Sequence, residues 1–422
     1  MDKRTFIKGL ALSALAKPLS LQALQAHVKD HAHLPVEELA GQEDFWATIR
    51  KGYALKPDYI NLENGYYCIQ PQAVLEKFVA HAREVNYQGS WYMRTVQFDN
   101  KKKAAAKLAA LAGCAEDELV ITRNTTESLD MVIGGQDWKP GDEAVMAEQD
   151  YGAMLDMFKL VAKRYGVVNR IVSVPNHPKD DEEIVQLYAQ AITPKTRLLM
   201  VGHMINITGH ILPVRKICDM AHARGVKVMV DGAHAFAHFR FNIPDLGCDF
   251  YGASLHKWLS VPLGAGILYV RKDNVGGVWP LLADGERKPD DIGRLNHIGT
   301  HPVHTDLTIS DAIEYYEMIG AERKEERMRY LQRYWTEQVR NVPGVIVNTP
   351  SEPHRACGIA NVGVTRLKPS ELAETLLKRY RIWTVAIDYA NVRGVRISPN
   401  VYTTTEELDV LVKALKELAA GA

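Results

Sequence analysis

From residue 119 to residue 230 the chain alternates short apolar, β-branched runs with amphipathic stretches, and this rhythm limits the fold more than any other feature. Strands are predicted at 119–122, 143–147, 169–174, 197–203 and 226–230, with helices at 124–133, 155–165, 181–191 and 214–224. A strand, a helix and a second strand close as a right-handed crossover, so the run predicts a mainly parallel sheet with helices on both faces. A further strand is predicted at 264–270, and the Gly-, Pro- and Asp-rich stretch 276–305 reads as a long loop of the functional kind.

On either side the pattern is different. Residues 27–58 are polar and mixed, with Phe45 and Trp46 as anchors of a short helix; 59–65 reads as a strand-like entry to a turn. Helices are predicted at 72–87 and 99–112, with 89–94 between them as an irregular aromatic loop. After residue 306 a long helix at 311–339 leads to strands near 345–347, 358–364 and 394–397 and a final amphipathic helix at 405–418. The expected class is α/β: a large domain, 71–305, and a smaller C-terminal α+β domain, 306–422, against which the segment 27–70 packs. At 422 residues with 46% hydrophobic content, the chain can bury cores of that size.

Two residues stand out for chemistry. Asp231 follows the apolar run 226–230 and precedes Gly232, which places an acid at the carboxyl end of a buried parallel strand, where open α/β sheets bind ligands. Lys257 comes 26 residues later, in a segment with little periodicity. A buried lysine loses proton affinity because desolvation disfavours the ammonium, and becomes a nucleophilic amine able to form an imine with an aldehyde. A buried carboxylate opposite a pyridine nitrogen keeps that nitrogen protonated and makes the ring an electron sink. A turn-capping Asp and a loop Lys would need neither role. In Arg123-Asn124-Thr125-Thr126-Glu127-Ser128, hydroxyl and amide side chains meet a predicted helix N-terminus. That arrangement binds anions, although an ordinary helix cap looks the same.

Lys+Arg and Asp+Glu both number 51, so no basic field recommends nucleic acid and a small-molecule partner is expected. The five cysteines, Cys68, Cys114, Cys218, Cys248 and Cys357, lack CxxC or Cys/His ligand spacing, which argues against a structural metal and a disulfide framework. Isolated histidines such as His203, His210, His238, His301 and His304 read as hydrogen-bonded or surface residues.

Residues 1–26 run from basic to apolar to small, the order of an export signal. Lys3-Arg4-Thr5-Phe6-Ile7-Lys8 resembles a twin-arginine signal with lysine in the first arginine position. A periplasmic location is therefore expected, a cytoplasmic one being the alternative. The apolar run falls short of the roughly 20 residues of a spanning helix, so no membrane anchor is expected.

Four motifs in order carry a family resemblance: Asn124-Thr125-Thr126-Glu127-Ser128, Asp231-Gly232-Ala233-His234-Ala235, Ser254-Leu255-His256-Lys257 and Arg396-Ile397-Ser398-Pro399-Asn400-Val401-Tyr402. Together they resemble the class V aminotransferase family of enzymes dependent on pyridoxal 5'-phosphate (PLP), in its isopenicillin N epimerase-like branch, over residues 59–415. The resemblance implies the PLP-dependent transferase fold type I, with a seven-stranded-type sheet in the large domain, and PLP as cofactor. It implies a homodimer with shared active sites. It implies that Lys257 is the lysine that holds the cofactor aldehyde, Asp231 the partner of the pyridine nitrogen, and His234 and Asn206 the neighbours of the ring phenolate. Tyr151 would stack on the ring. Asn124, Thr125, Thr126, Ser254 and His256 would bind the phosphate, joined by Thr300 from the partner subunit. Arg396 would bind the substrate α-carboxylate through a bidentate fork, and Trp91, Tyr92 and Arg94 would line the substrate entrance.

The chain departs from its relatives in two places. Asn400 stands where the family usually has His, and the stretch 382–389 has no thiol of the kind a cysteine desulfurase needs. Cys357 reads as packing. The resemblance thus implies an enzyme acting on an amino acid, or a small molecule or peptide containing one, by transamination, epimerisation or related chemistry at Cα. A C–S lyase acting on a cysteine conjugate is the enzyme alternative. A catalytically silent binding or regulatory protein is the other, disfavoured because both Asp231 and Lys257 are present. Export would suit periplasmic tailoring of a secondary metabolite, similar in that respect to the periplasmic PLP enzyme of pyoverdine maturation.

Overall fold

The computed structural model describes residues 19–421, so the basic and apolar part of the expected export segment, up to residue 18, lies outside the described residues. The helix Leu21–Asp30 crosses the expected boundary at residue 26. Ser20 caps it by accepting the Ala23 N–H, and Leu24 and Val28 are buried in the main core. The fold therefore begins before residue 26, because apolar contacts hold the last part of a segment whose order of residues reads as an export signal.

The strands of the first half are β1 (Ile60–Asn61), β2 (Leu119–Thr122), β3 (Glu143–Ala147), β4 (Val168–Val172), β5 (Thr196–Gly202), β6 (Lys227–Asp231), β7 (Phe250–Ser254) and β8 (Gly266–Val270). The second half adds β9 (Val345–Val347), β10 (Ala360–Val364), β11 (Ile382–Trp383), β12 (Val385–Tyr389) and β13 (Val392–Ile397). Seven of them form one sheet in the order β2-β8-β7-β6-β5-β3-β4. Only β8 runs against its neighbours. Both sides of the sheet are covered, and the sequence shows why. Along β6 the pleat turns Val228 and Val230 into one apolar core and Met229 into the other, so the run is apolar throughout rather than alternating.

A second sheet, β12-β13-β10-β9, is antiparallel and has its own core of Val362, Val395 and Ile397 against Leu331, Trp335, Leu411 and Leu415. The parallel pair β1 and β11 ties the N-terminal segment to it. Arg327, fully buried, ties the segment further: it donates to the Ala40 and Thr403 carbonyls and pairs with Glu43.

Three expectations need correction. The stretch 89–94 is helical: the π-helix Tyr92–Val96 continues into the helix Gln97–Ala112, because Tyr92 is buried and its hydroxyl accepts from Asn100. The helix expected at 311–339 is two helices, Val303–Ile319 and Ala321–Val339, broken at Gly320, whose φ of 93° no helix contains. The stretch 276–305 carries the 3₁₀ turn Ile292–Asn296, pinned by Ile292 and Leu295 in the core. Besides these, the stretch 382–389 is mostly strand, since β11 and β12 both lie in it, preceded by the helix Pro369–Tyr380.

Among the described residues no helix is long and apolar enough to cross a membrane.

Candidate active site

A cavity of about 350 Å³ opens where β2, β3, β5, β6 and β7 reach their carboxyl ends. That volume is at the small end of the usual range for small-molecule sites, and the position is where a parallel sheet places its ligands. Each strand hands one to three side chains to it: Asn124, Thr125 and Thr126 after β2, Asp150 and Tyr151 after β3, Asn206 after β5, Asp231 and His234 from β6, and Ser254, His256 and Lys257 from β7.

Asp231 is the last residue of β6, paired in register with Gly202 and Gly252, and its Oδ1 accepts the Ala233 N–H at 3.0 Å. Burial raises its pKa, with the Ala233 amide and the Lys257 charge acting the other way. A carboxylate so placed gains from a cation in the cavity. Gly232 is required beside it: a Cβ there would lie 1.9 Å from the Tyr251 ring.

Lys257 follows β7 in a turn closed by Ser260, whose N–H donates to the Lys257 carbonyl and whose φ of 58° is unusual for a residue with a side chain. The lysine faces the cavity but is otherwise enclosed by protein. Burial lowers its pKa to about 8, opposed by Asp231 and reinforced by Arg396. Its Nζ lies 3.0 Å from His234 Nε2. His234 is held neutral, first by burial and then by the Lys257 charge, so its Nε2 can accept from the lysine.

At the other end of the cavity stands the N-terminus of the helix Thr125–Gly134. Asn124 caps it, its Oδ1 accepting the Glu127 N–H, while Ser254 Oγ accepts the Thr125 N–H at 2.9 Å and lies 2.7 Å from Thr125 Oγ1. The sequence motif is thus both a cap and a lining of the cavity: Asn124 does the capping, and Thr125, Thr126 and Ser254 face a point where the helix dipole favours an anion.

Tyr151 sits at the cavity rim, 46% exposed, and Arg396 and Asn206 line the wall. Three residues expected at the substrate entrance are not brought to this cavity. Trp91 and Arg94 are exposed and Tyr92 is buried elsewhere, while Thr300 lines a separate groove with Phe98 and Asn296. Asn400 belongs to a turn, its Oδ1 accepting the Val401 N–H. None of the five cysteines lines the cavity, and burial pushes Cys68, Cys114, Cys218 and Cys357 up to about 12 and raises Cys248 well above its ordinary value. The histidines outside the site are structural: His203 and His238, buried among aromatic rings, are lowered to about 3 by burial, and His301 pairs with Asp306.

A buried acid in the cavity wall and an acid behind Arg396 escaped the sequence reading. Asp150 is buried behind Tyr151; burial first, and then the Asp231 charge, raise its pKa to about 8. Its signal was an acid at the end of a predicted strand. Glu63 pairs with Arg396 from a segment read only as strand-like, and nothing local in the sequence links the two.

The Aminotransferase class-V family matches residues 68–411. The chain belongs to that family. It is a PLP-dependent class V enzyme, 29% identical over 398 residues to the isopenicillin N epimerase of Amycolatopsis lactamdurans, covering 89% of this chain and 98% of that protein. The isopenicillin N epimerase of Streptomyces clavuligerus is 27% identical over 393 residues, covering 88% and 98%. Among solved structures, a cysteine desulfurase of Escherichia coli superposes with a TM-score of 0.75 at 25% identity, covering 88% of this chain and 98% of that one. The apo cysteine desulfurase of Thermococcus onnurineus has the same fold, with a TM-score of 0.78 at 22% identity, covering 90% and 98%.

The residues present fit PLP. One cavity is lined by a buried acid, an amine, and a helix N-terminus with its hydroxyls. His234 Nδ1 and His256 Nδ1 are buried there without a hydrogen-bond partner among the described residues, which suits a polar ligand. Among the described residues, no group of His, Cys, Asp and Glu is placed to hold a metal ion. A Ser254 hydroxyl that donates to the phosphate would be lost in Ser254→Ala, and PLP affinity is then expected to fall about 10- to 100-fold, measured by absorbance titration.

Proposed function

We propose that this class V enzyme moves protons at Cα of an amino acid or an amino-acid-containing small molecule or peptide, by epimerisation or transamination. The observation that carries this reading is the Lys257 Nζ to His234 Nε2 contact of 3.0 Å in a cavity that no thiol lines. An amine with a pKa lowered to about 8 is available near neutral pH both to attach to the cofactor and to take or return a proton. PLP supplies an electron sink for the carbanion formed at Cα. Asp231 supports that sink by holding a positive charge at the ring nitrogen. His234 orients Lys257, and Thr125, Thr126 and Ser254 anchor the phosphate. The absence of a thiol from the cavity favours this chemistry over persulfide formation, which needs a nucleophilic sulfur at the substrate.

The holoenzyme, incubated with a panel of D- and L-amino acids in deuterated water and analysed by mass, is expected to incorporate deuterium at Cα or to release a keto acid. Release of a sulfur product from cysteine conjugates, with no Cα exchange, would favour the C–S lyase alternative.

The same reading includes a homodimer and export to the periplasm. Exposed Phe98, and the groove it lines with Thr300, support a second copy covering this face. Light scattering of the holoenzyme tests it; a monomer would refute it. The basic and apolar order of residues 1–16 supports export, and recovery of only uncleaved protein in the cytoplasm would refute that.

A further inference from the structure

Arg396, in β13, presents its guanidinium to the cavity over Gly65, where a Cβ would lie 2.8 Å from Cζ and could not be accommodated. The guanidinium is already clasped. Nη2 donates to Glu63 Oε1 at 2.5 Å, Nε donates to Glu63 Oε2 at 3.2 Å, and Nη1 donates to the Asn206 carbonyl at 3.1 Å. Of the five N–H groups of an arginine, two are left, one on each terminal nitrogen.

Glu63 is no loose surface acid. Its side chain is 7% exposed and that of Arg396 is 8% exposed. The Tyr66 N–H donates to Oε1 at 3.0 Å and Ser398 Oγ lies 3.4 Å from Oε2. Its backbone is bridged to Ser398 just beyond β13. A carboxylate entering the cavity therefore meets an arginine whose charge is matched, with the matching anion fixed beside it. Taking Glu63's place would leave a buried carboxylate without its partner, which is more costly than the exchange returns. A neutral carbonyl oxygen can use the same two N–H groups and meets no such repulsion.

We infer that Glu63 sets the substrate class: the cavity accepts amines whose neighbouring carbon carries an amide, such as a peptide-linked residue, about as well as free α-amino acids. This rests on the PLP reading above and names the substrate of that same site. Glu63 acts as a specificity-determining residue by removing the preference for a free carboxylate that an unpaired arginine would impose.

The test is absorbance titration of the PLP-loaded enzyme with L-alanine and with L-alaninamide. The wild-type protein is expected to bind the two with dissociation constants within about tenfold of each other, and Glu63→Gln is expected to shift the ratio toward L-alanine by at least about tenfold. Wild-type preference for L-alanine beyond about a hundredfold, or no response to L-alaninamide, would overturn the inference without any variant. So would an unchanged ratio in Glu63→Gln with its cofactor band intact. Failure of the PLP reading looks different: no visible band forms when PLP is added, and the inference falls with it.

Discussion

Lys257→Ala is expected to abolish the visible absorbance band, at ~420 nm, that forms when PLP is added to the wild-type protein, and to lower the rate of Cα proton exchange by at least about 10³-fold. The effect is large because one side chain does two things. Lys257 is the only lysine lining the cavity among the described residues, so no second amine can attach to the cofactor, and none stands near His234 to handle the Cα proton. Its pKa of about 8 adds a pH signature: cofactor capture is expected to speed up as pH rises through about 8 and then level off, as the ammonium gives way to the neutral amine. The unfolded chain holds this proton up to the ordinary lysine value. Between about pH 8 and that value the folded apoprotein binds fewer protons than the unfolded chain, and its stability rises with pH. Lys257→Met removes the penalty of burying the ammonium, so the inactive apoprotein is expected to melt at or above the wild-type temperature at pH 7. A lower melting temperature together with a surviving absorbance band would sink the assignment.

Asp231→Asn separates cofactor binding from catalysis. Lys257 remains, so the absorbance band is expected to form, while Cα proton exchange falls by about 10²- to 10³-fold because the charge that supports the protonated ring nitrogen is gone. The substitution preserves shape at a position where burial already disfavours the carboxylate. The apoprotein should therefore hold its stability, as read by thermal melting, and an unaltered exchange rate would remove Asp231 from the mechanism. The pair of variants distinguishes an amine that binds and moves protons from an acid that only tunes the ring.

Much of this site could be read before the fold was seen. β3 and the helix Asp181–Ala191 lie where the periodicity puts them, and Asp231 and Lys257 lie at adjoining strand ends, because parallel βαβ units bring successive carboxyl ends to one edge. The Asn124-Thr125-Thr126 motif was legible for a local reason: a helix start is written in the residues that cap it. The reading failed where burial overrides local pattern. Tyr92 turned an apparent loop into helix, and Leu24 drew the end of an apparent export signal into the core. Gly320 split a continuous periodic stretch because one residue at φ 93° ends a helix whatever its neighbours favour.

The chain's own order of residues determined the parallel sheet, the family and the strand ends at which Asp231 and Lys257 stand, since each depends on short-range periodicity and on motifs a few residues long. Only the tertiary structure decided that Lys257 leans on His234, that Asp150 shares the cavity, that no cysteine reaches it, and that Glu63 and Arg396, 333 residues apart, neutralise each other there. Those facts are pairings between distant segments. A buried charge selects its partner by desolvation and distance in three dimensions, and neither quantity is carried by the spacing of residues along the chain.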